Sequence, residues 1–274
     1  MRICIKVGTS TLTHPSGHLN IRQVEQLCKV LSDLKNAGNE IILISSGAIG
    51  MGVGKLGLDG RPKDMPTKQA AAAVGQCELM YIYDKLFSEF NHNVAQVLLT
   101  ADDVSDPHRS ANLRTTLTRL LELGVLPVIN ENDAVSTDEI GVTTTIGEND
   151  TLSAIVARLI QAELLILLSD IDGLYTADPH KDPNAELVQV VPELTPEVWA
   201  LADGKGSALA SGGMATKLKA AEIATANGCD MIITNGKDVR VLADIFSEDY
   251  TGTLFSANPN PNFNLATYIM ETIG

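Results

Sequence analysis

IRQVEQLCKVLSDLKN (residues 21–36), then Ala37-Gly38-Asn39-Glu40, then IILIS (residues 41–45), reads as a helix, a stop and a strand in immediate succession. Val24, Leu27, Cys28, Leu31 and Leu34 recur at steps of three and four, which marks one face of an α-helix. Gly38 stands where a C-cap belongs, because glycine adopts the left-handed conformation that ends a helix without steric cost. The apolar run that follows suits a strand covered on both faces. It ends in Ser45-Ser46-Gly47-Ala48, a change to hydroxyl and glycine chemistry.

The same alternation continues outward. Strands are predicted at 3–7, 94–99, 126–130, 164–169, 231–234 and 253–255, and helices over 67–90, 110–123, 150–161, 213–227 and 239–246. Gly124 and Gly228 repeat the stop before the next strand. Strand–helix alternation along the whole chain predicts an α/β fold, a three-layer α/β/α sandwich with a mostly parallel central sheet. One domain is expected over 1–257. Asn258-Pro259-Asn260-Pro261-Asn262 then opens a C-terminal segment, 258–274, read as a spacer followed by a short helix or a tail.

Hydrophobic residues make up 45% of the 274 and aromatics only 4%, so the core must be built from Val, Ile, Leu and Ala. The net charge of −14 repels phosphate backbones and argues against nucleic acid as a partner. A small anion remains compatible, held by a few local lysines and backbone N–H groups. Cys4, Cys28, Cys77 and Cys229 are scattered without ligand spacing, so buried reduced thiols are expected and a metal site is not. No segment reaches the ~20 apolar residues that span a bilayer. The chain begins on a strand carrying Lys6 rather than on a signal peptide, and a cytoplasmic location is expected.

Open α/β sheets collect ligands at the carboxyl ends of their strands, and here those ends carry the chemistry. Lys6-Val7-Gly8-Thr9-Ser10 closes the first strand. A lysine alternating into a buried strand calls for an anion, and Gly8 lets backbone approach a ligand. The blander alternative is a strand-edge lysine reaching solvent. Gly50-Met51-Gly52-Val53-Gly54 follows the second strand. Gly52, Gly54 and Gly57 match the dinucleotide spacing by accident, since they lie past the strand-to-helix turn. Gly54-Lys55-Leu56 fails as a P-loop for want of a hydroxyl after the lysine. Asn130-Glu131-Asn132-Asp133-Ala134 follows the fourth strand, as an acceptor cluster or as a mere turn. Gly147-Glu148-Asn149-Asp150 opens a helix, and Ser169-Asp170 ends the fifth strand ahead of Asp172-Gly173-Leu174-Tyr175. Ser211-Gly212-Gly213-Met214-Ala215-Thr216-Lys217 is a glycine turn into a helix with a lysine one turn inside, which suits phosphate oxygens.

Taken together and in this order, these pieces resemble the amino-acid kinase family, and within it the branch acting on free glutamate. The resemblance covers about residues 1–257. It implies ATP-dependent phosphorylation of the γ-carboxylate of L-glutamate to L-glutamyl 5-phosphate, the first step of proline biosynthesis. ATP and Mg2+ are the implied cofactors. Lys6, Lys217 and Asp150 would be catalytic, the lysines on the phosphates and Asp150 holding both lysines. Lys6, Gly8, Ser169, Asp170, Ser211, Gly212, Gly213, Met214, Ala215, Thr216 and Lys217 would line the nucleotide site. Ser46, Asp133 and Asn149 would bind glutamate. The resemblance also implies proline as a feedback inhibitor, glutamate-5-semialdehyde dehydrogenase as a partner, and a homo-oligomer, dimer or tetramer. Many members continue into a C-terminal PUA domain, which this chain is expected to lack. The 134–148 loop, with Thr143-Thr144-Thr145, reads longer than usual for the family. Rival readings are an acetylglutamate or carbamate kinase of the same family, and a silent sensor of proline or glutamate. Keeping both lysines with Asp150 weighs against the sensor, because sensing needs no phosphate clamp.

Overall fold

The computed structural model describes residues 1–14, 18–135, 149–179, 181–202, 213–247, 249–265 and 267–268. In chain order the elements are β1 (Arg2–Val7), α1 (Thr9–Leu12), α2 (Ile21–Asn36), β2 (Glu40–Ser45), α3 (Ala48–Leu56), α4 (Met65–Ser88), β3 (Val94–Leu99) and α5 (Ala101–Ser105). There follow α6 (Pro107–Glu122), β4 (Leu126–Glu131), α7 (Asn149–Leu159), β5 (Leu164–Ser169), β6 (Val190–Val191) and α8 (Pro196–Ala202). The last are α9 (Gly213–Ala226), β7 (Asp230–Asn235), α10 (Val241–Asp244) and β8 (Gly252–Phe255).

The strands form one eight-stranded sheet in the order β3-β4-β2-β1-β5-β7-β8-β6. All neighbours pair parallel except β7 with β8, so β8 and its parallel partner β6 run backwards at one edge. The predicted mostly parallel sheet is therefore present. The predicted strands fall where the structure has them, and β6 is the one the sequence reading missed. Its two residues, Val190 and Val191, are too short a run to show a period.

Alternation along each strand sends side chains to two separate cores. Ile3, Ile5, Val7, Ile41 and Leu43 meet Leu27 and Leu31 of α2 and Leu79, Tyr83 and Phe87 of α4. Cys4, Ile42, Ile44, Leu165 and Leu167 meet Leu117 of α6, Ile155 of α7 and Leu218 of α9 on the opposite face. These two layers flank the sheet as expected of a three-layer sandwich. Gly38, Gly124 and Gly228 have φ of 92°, 72° and 80°, which the C-cap reading requires. Cys4, Cys28 and Cys229 are buried free thiols, whereas Cys77 is exposed on α4, contrary to expectation. The 16-residue helix expected to be apolar on one face only, α2, is so; α4 mixes polar and apolar residues around its circumference and buries Ala71, Ala72, Gly75, Leu79, Tyr83 and Phe87.

The glycine-rich stretch after β2 is a helix, α3. Its glycines serve packing: a Cβ on Gly52 would lie 1.8 Å from the Ala71 carbonyl oxygen, and one on Gly75 would lie 1.8 Å from that of Ala48. The backbones of α3 and α4 thus touch through a pair of facing glycines. Gly75→Ala is expected to lower stability by about 3 kcal/mol or more, since rigid backbone cannot yield to the added methyl. Chemical denaturation checks this, with Gly50→Ala as control because its Cβ would sit at an ordinary 3.6 Å from Thr9. Equal midpoints for the two variants would contradict the close approach.

Candidate active site

β1 lies between β2 and β5, where the chain order of the sheet reverses, and the loops leaving their carboxyl ends part there. A cleft of about 1050 Å³ opens at that place. Its wall carries Lys6, Gly8, Ser46, Asp133, Asn149, Ser169, Asp170 and Lys217, all anticipated from sequence.

At the inner end is a charge cluster. Lys6 shares the Cys4 face of β1 and so points toward α7, whose first turn carries Asp150. Lys6 Nζ lies 2.6 Å from Asp150 Oδ1 as an ion pair. Lys217, one turn into α9, donates from Nζ to Asp150 Oδ2 at 3.0 Å and to the Gly213 carbonyl at 3.2 Å. The Asp150 side chain is 2% exposed, and those of Lys6 and Lys217 are 13% and 10% exposed. Burial pushes the Asp150 carboxyl up, but the Lys6 and Lys217 ammoniums outweigh it and hold the group below its ordinary value. Two ammoniums on one carboxylate leave a net positive charge facing the cleft, preset for an anion.

Beside it runs a polar chain. Asn149 Nδ2 donates to Ser46 Oγ at 2.7 Å and to Asn130 Oδ1 at 3.1 Å. Asn130 Nδ2 donates in turn to Gln76 Oε1 at 3.0 Å. Asn149 and Ser46 are thereby fixed in orientation, and Gln76 and Asn130 are positioning residues that the sequence reading did not assign. Asp133 sits in the turn after β4, where burial pushes its carboxyl up and the Arg61 guanidinium partly offsets that.

Not every expected residue reaches the wall. Asp150 lies behind the two lysines. Gly213, Met214, Ala215 and Thr216 form the first turn of α9, and Lys217 alone of that helix lines the cleft among the described residues. Ser211, Gly212 and the 136–148 part of the long loop lie outside the described residues. Ser169 Oγ donates to Asp170 Oδ1 at 3.2 Å, tying the end of β5. The Asp172–Tyr175 piece is a brace: Asp172 accepts from Asn235 Nδ2 at 2.7 Å and from Tyr175 Oη at 2.9 Å. A Cβ on Gly173 would fall 2.3 Å from Thr253 Oγ1, so that corner admits only glycine. Thr9 and Ser10, part of the Lys6–Ser10 motif but given no role from sequence, also line the cleft; missed altogether were His18 and Arg61, and the only signal for the last was the glycine-rich turn Gly57–Gly60 before it.

A model of the amino acid kinase family matches residues 1–235. The chain belongs to the amino acid kinase family. Among relatives of this family member, the glutamate 5-kinase of Clostridium acetobutylicum is 53% identical, over 93% of this chain and 94% of that one. The glutamate 5-kinase of Clostridium perfringens is 50% identical, over 93% of this chain and 95% of its own length. The carbamate kinase from Giardia lamblia bound to AMP-PNP superposes with a TM-score of 0.67 at 18% identity, covering 94% of this chain and 98% of that chain. This last likeness shows the amino acid kinase fold alone. No helix among the described residues of this family member is long and apolar enough to cross a membrane.

Proposed function

We propose that the chain transfers the γ-phosphoryl group of ATP to the γ-carboxylate of L-glutamate, forming L-glutamyl 5-phosphate. The observation that carries this reading is the Lys6–Asp150–Lys217 cluster at the inner end of a cleft whose other wall holds Ser46, Asn149 and Asp133. The glutamate 5-kinase relatives, at about 50% identity over nearly the full chain, support the same substrate.

Phosphoryl transfer asks of a protein chiefly alignment and charge stabilisation. The accepting carboxylate is ionised at neutral pH, so no general base is needed. What must be overcome is repulsion between two anions. Lys6 and Lys217 lie where the transferring oxygens would gather, already oriented by Asp150, so stabilising them requires little reorganisation. Ser46 and Asn149 would orient the accepting carboxylate, and Ser169 and Asp170 would line the nucleotide. Among the described residues no three His, Cys, Asp or Glu side chains converge to hold a metal ion. The donor set on the wall suits phosphate oxygens, so Mg2+ would be held chiefly by ATP and would supply charge neutralisation there. The acyl phosphate product is labile and calls for a reductase to consume it.

Incubation with ATP, glutamate and hydroxylamine should yield γ-glutamyl hydroxamate together with stoichiometric ADP. ADP release without hydroxamate, or neither product, would overturn the assignment.

A further inference from the structure

Part of the cleft wall is the segment joining α3 to α4, with Gly57, Leu58, Gly60 and Arg61. It is tied at both ends: Leu58 N donates to the Val53 carbonyl at 3.1 Å, Gly60 N to the Leu58 carbonyl at 2.8 Å, and Asp64 caps α4 through Thr67 N at 2.9 Å. Gly60, at φ 109°, turns the chain so that Arg61 stands on the cleft wall. Among the described residues Lys6, Arg61 and Lys217 are the lysines and arginines lining the cleft. Lys6 and Lys217 are both committed to Asp150. Arg61 makes no hydrogen bond or ion pair among the described residues, and neither does the Asp133 carboxylate, which lines the same cleft.

Electrostatically the cleft has two separate ends. Asp150 is paired with Lys6 and Lys217, whereas the charged neighbour that offsets the burial of Asp133 is Arg61. A cation and an anion that line one cleft and are not paired with each other are complementary to a zwitterion. Arginine is the residue suited to a carboxylate, since its planar fork donates to both oxygens.

We infer that Arg61 binds the α-carboxylate of the amino-acid substrate while Asp133 takes its α-ammonium, so that the pair selects a free α-amino acid and directs its side-chain carboxylate inward. The inference rests on the glutamate reading and adds a specificity residue to it. A neutral group in place of the α-carboxylate leaves Arg61 without its partner, and loss of Arg61 does the same to the substrate.

The test compares the parent chain with Arg61→Gln and Arg61→Lys, using glutamate and its α-carboxamide, isoglutamine, which keeps the α-ammonium and the γ-carboxylate. For Arg61→Gln the KM for glutamate should rise about 10- to 100-fold, the range expected for losing a charged hydrogen bond, while kcat and the KM for ATP move much less. Arg61→Lys should fall between. The parent should prefer glutamate to isoglutamine by a similar factor, and Arg61→Gln should lose that preference. An unchanged glutamate KM in Arg61→Gln, or an undiminished preference over isoglutamine, overturns the role of Arg61 and leaves the kinase reading standing. Failure of the parent chain to phosphorylate glutamate overturns both.

Discussion

Lys217→Ala should turn over glutamate about 10²- to 10³-fold more slowly at saturating ATP, the loss seen when one preorganised donor to a developing anion is removed. The side chain is nearly buried and held by Asp150 Oδ2 at 3.0 Å and the Gly213 carbonyl at 3.2 Å, so its charge is already placed before substrate arrives. Removing it does not orphan Asp150, because Lys6 remains 2.6 Å from the other carboxylate oxygen. The fold should therefore survive, unlike that of a variant stripped of both lysines, where an unpaired buried carboxylate would cost about 3–5 kcal/mol. Single-turnover and steady-state rates, with thermal unfolding as a check on folding, measure this. A fall in kcat below about threefold in a folded variant would remove Lys217 from the chemistry.

A second large effect is expected at the nitrogen of the substrate. Glutamate carries an α-ammonium, and N-acetylglutamate does not; it adds bulk at the same atom. In its place the Asp133 carboxylate, already disfavoured by burial, would face an amide without an opposite charge. Sites built to bind a substrate N–H reject analogues lacking it by roughly 10⁴–10⁵. The turn bearing Asp133 is only partly buried, which lowers the expectation to about 10³ in kcat/KM. Asp133→Ala should lower kcat/KM for glutamate steeply, with a smaller effect on the KM for ATP. Competition assays with glutamate, aspartate and N-acetylglutamate decide the point. Equal or better turnover of the acetylated compound would move the chain to another substrate within its family.

Several of these residues could be located from sequence because each sits at the end of an element whose period is legible. Lys6 lies one residue before the end of an apolar strand, Ser169-Asp170 directly at the end of another, and Asn149-Asp150 at a helix start. Strand ends are where an α/β sheet collects ligands, so position along the chain was already position in the site. Arg61, Gln76 and His18 had no such marker. Arg61 follows a helix stop rather than a strand, and Gln76 is one of several polar residues of α4, readable as part of a solvated face until Asn130 is seen against it.

The glycines divide in the same way. Gly38, Gly124 and Gly228 are local devices, each bending its own helix end, and their role follows from sequence position. Gly52 and Gly75 lie in different helices and look like weak points in both, because nothing local says that two backbones meet there.

By itself, then, the sequence determined the elements, their alternation, the sandwich and which strand ends bear polar chemistry, since period, caps and turn residues act over a few neighbours. Only the tertiary structure decided that one buried carboxylate serves two lysines from opposite ends of the chain, Lys6 of β1 and Lys217 of α9. It also decided that α3 packs backbone to backbone on α4, and that Arg61 and Asp133 line one cleft. Those are contacts between distant segments, set by how the two helical layers close on the sheet, and no local preference encodes them.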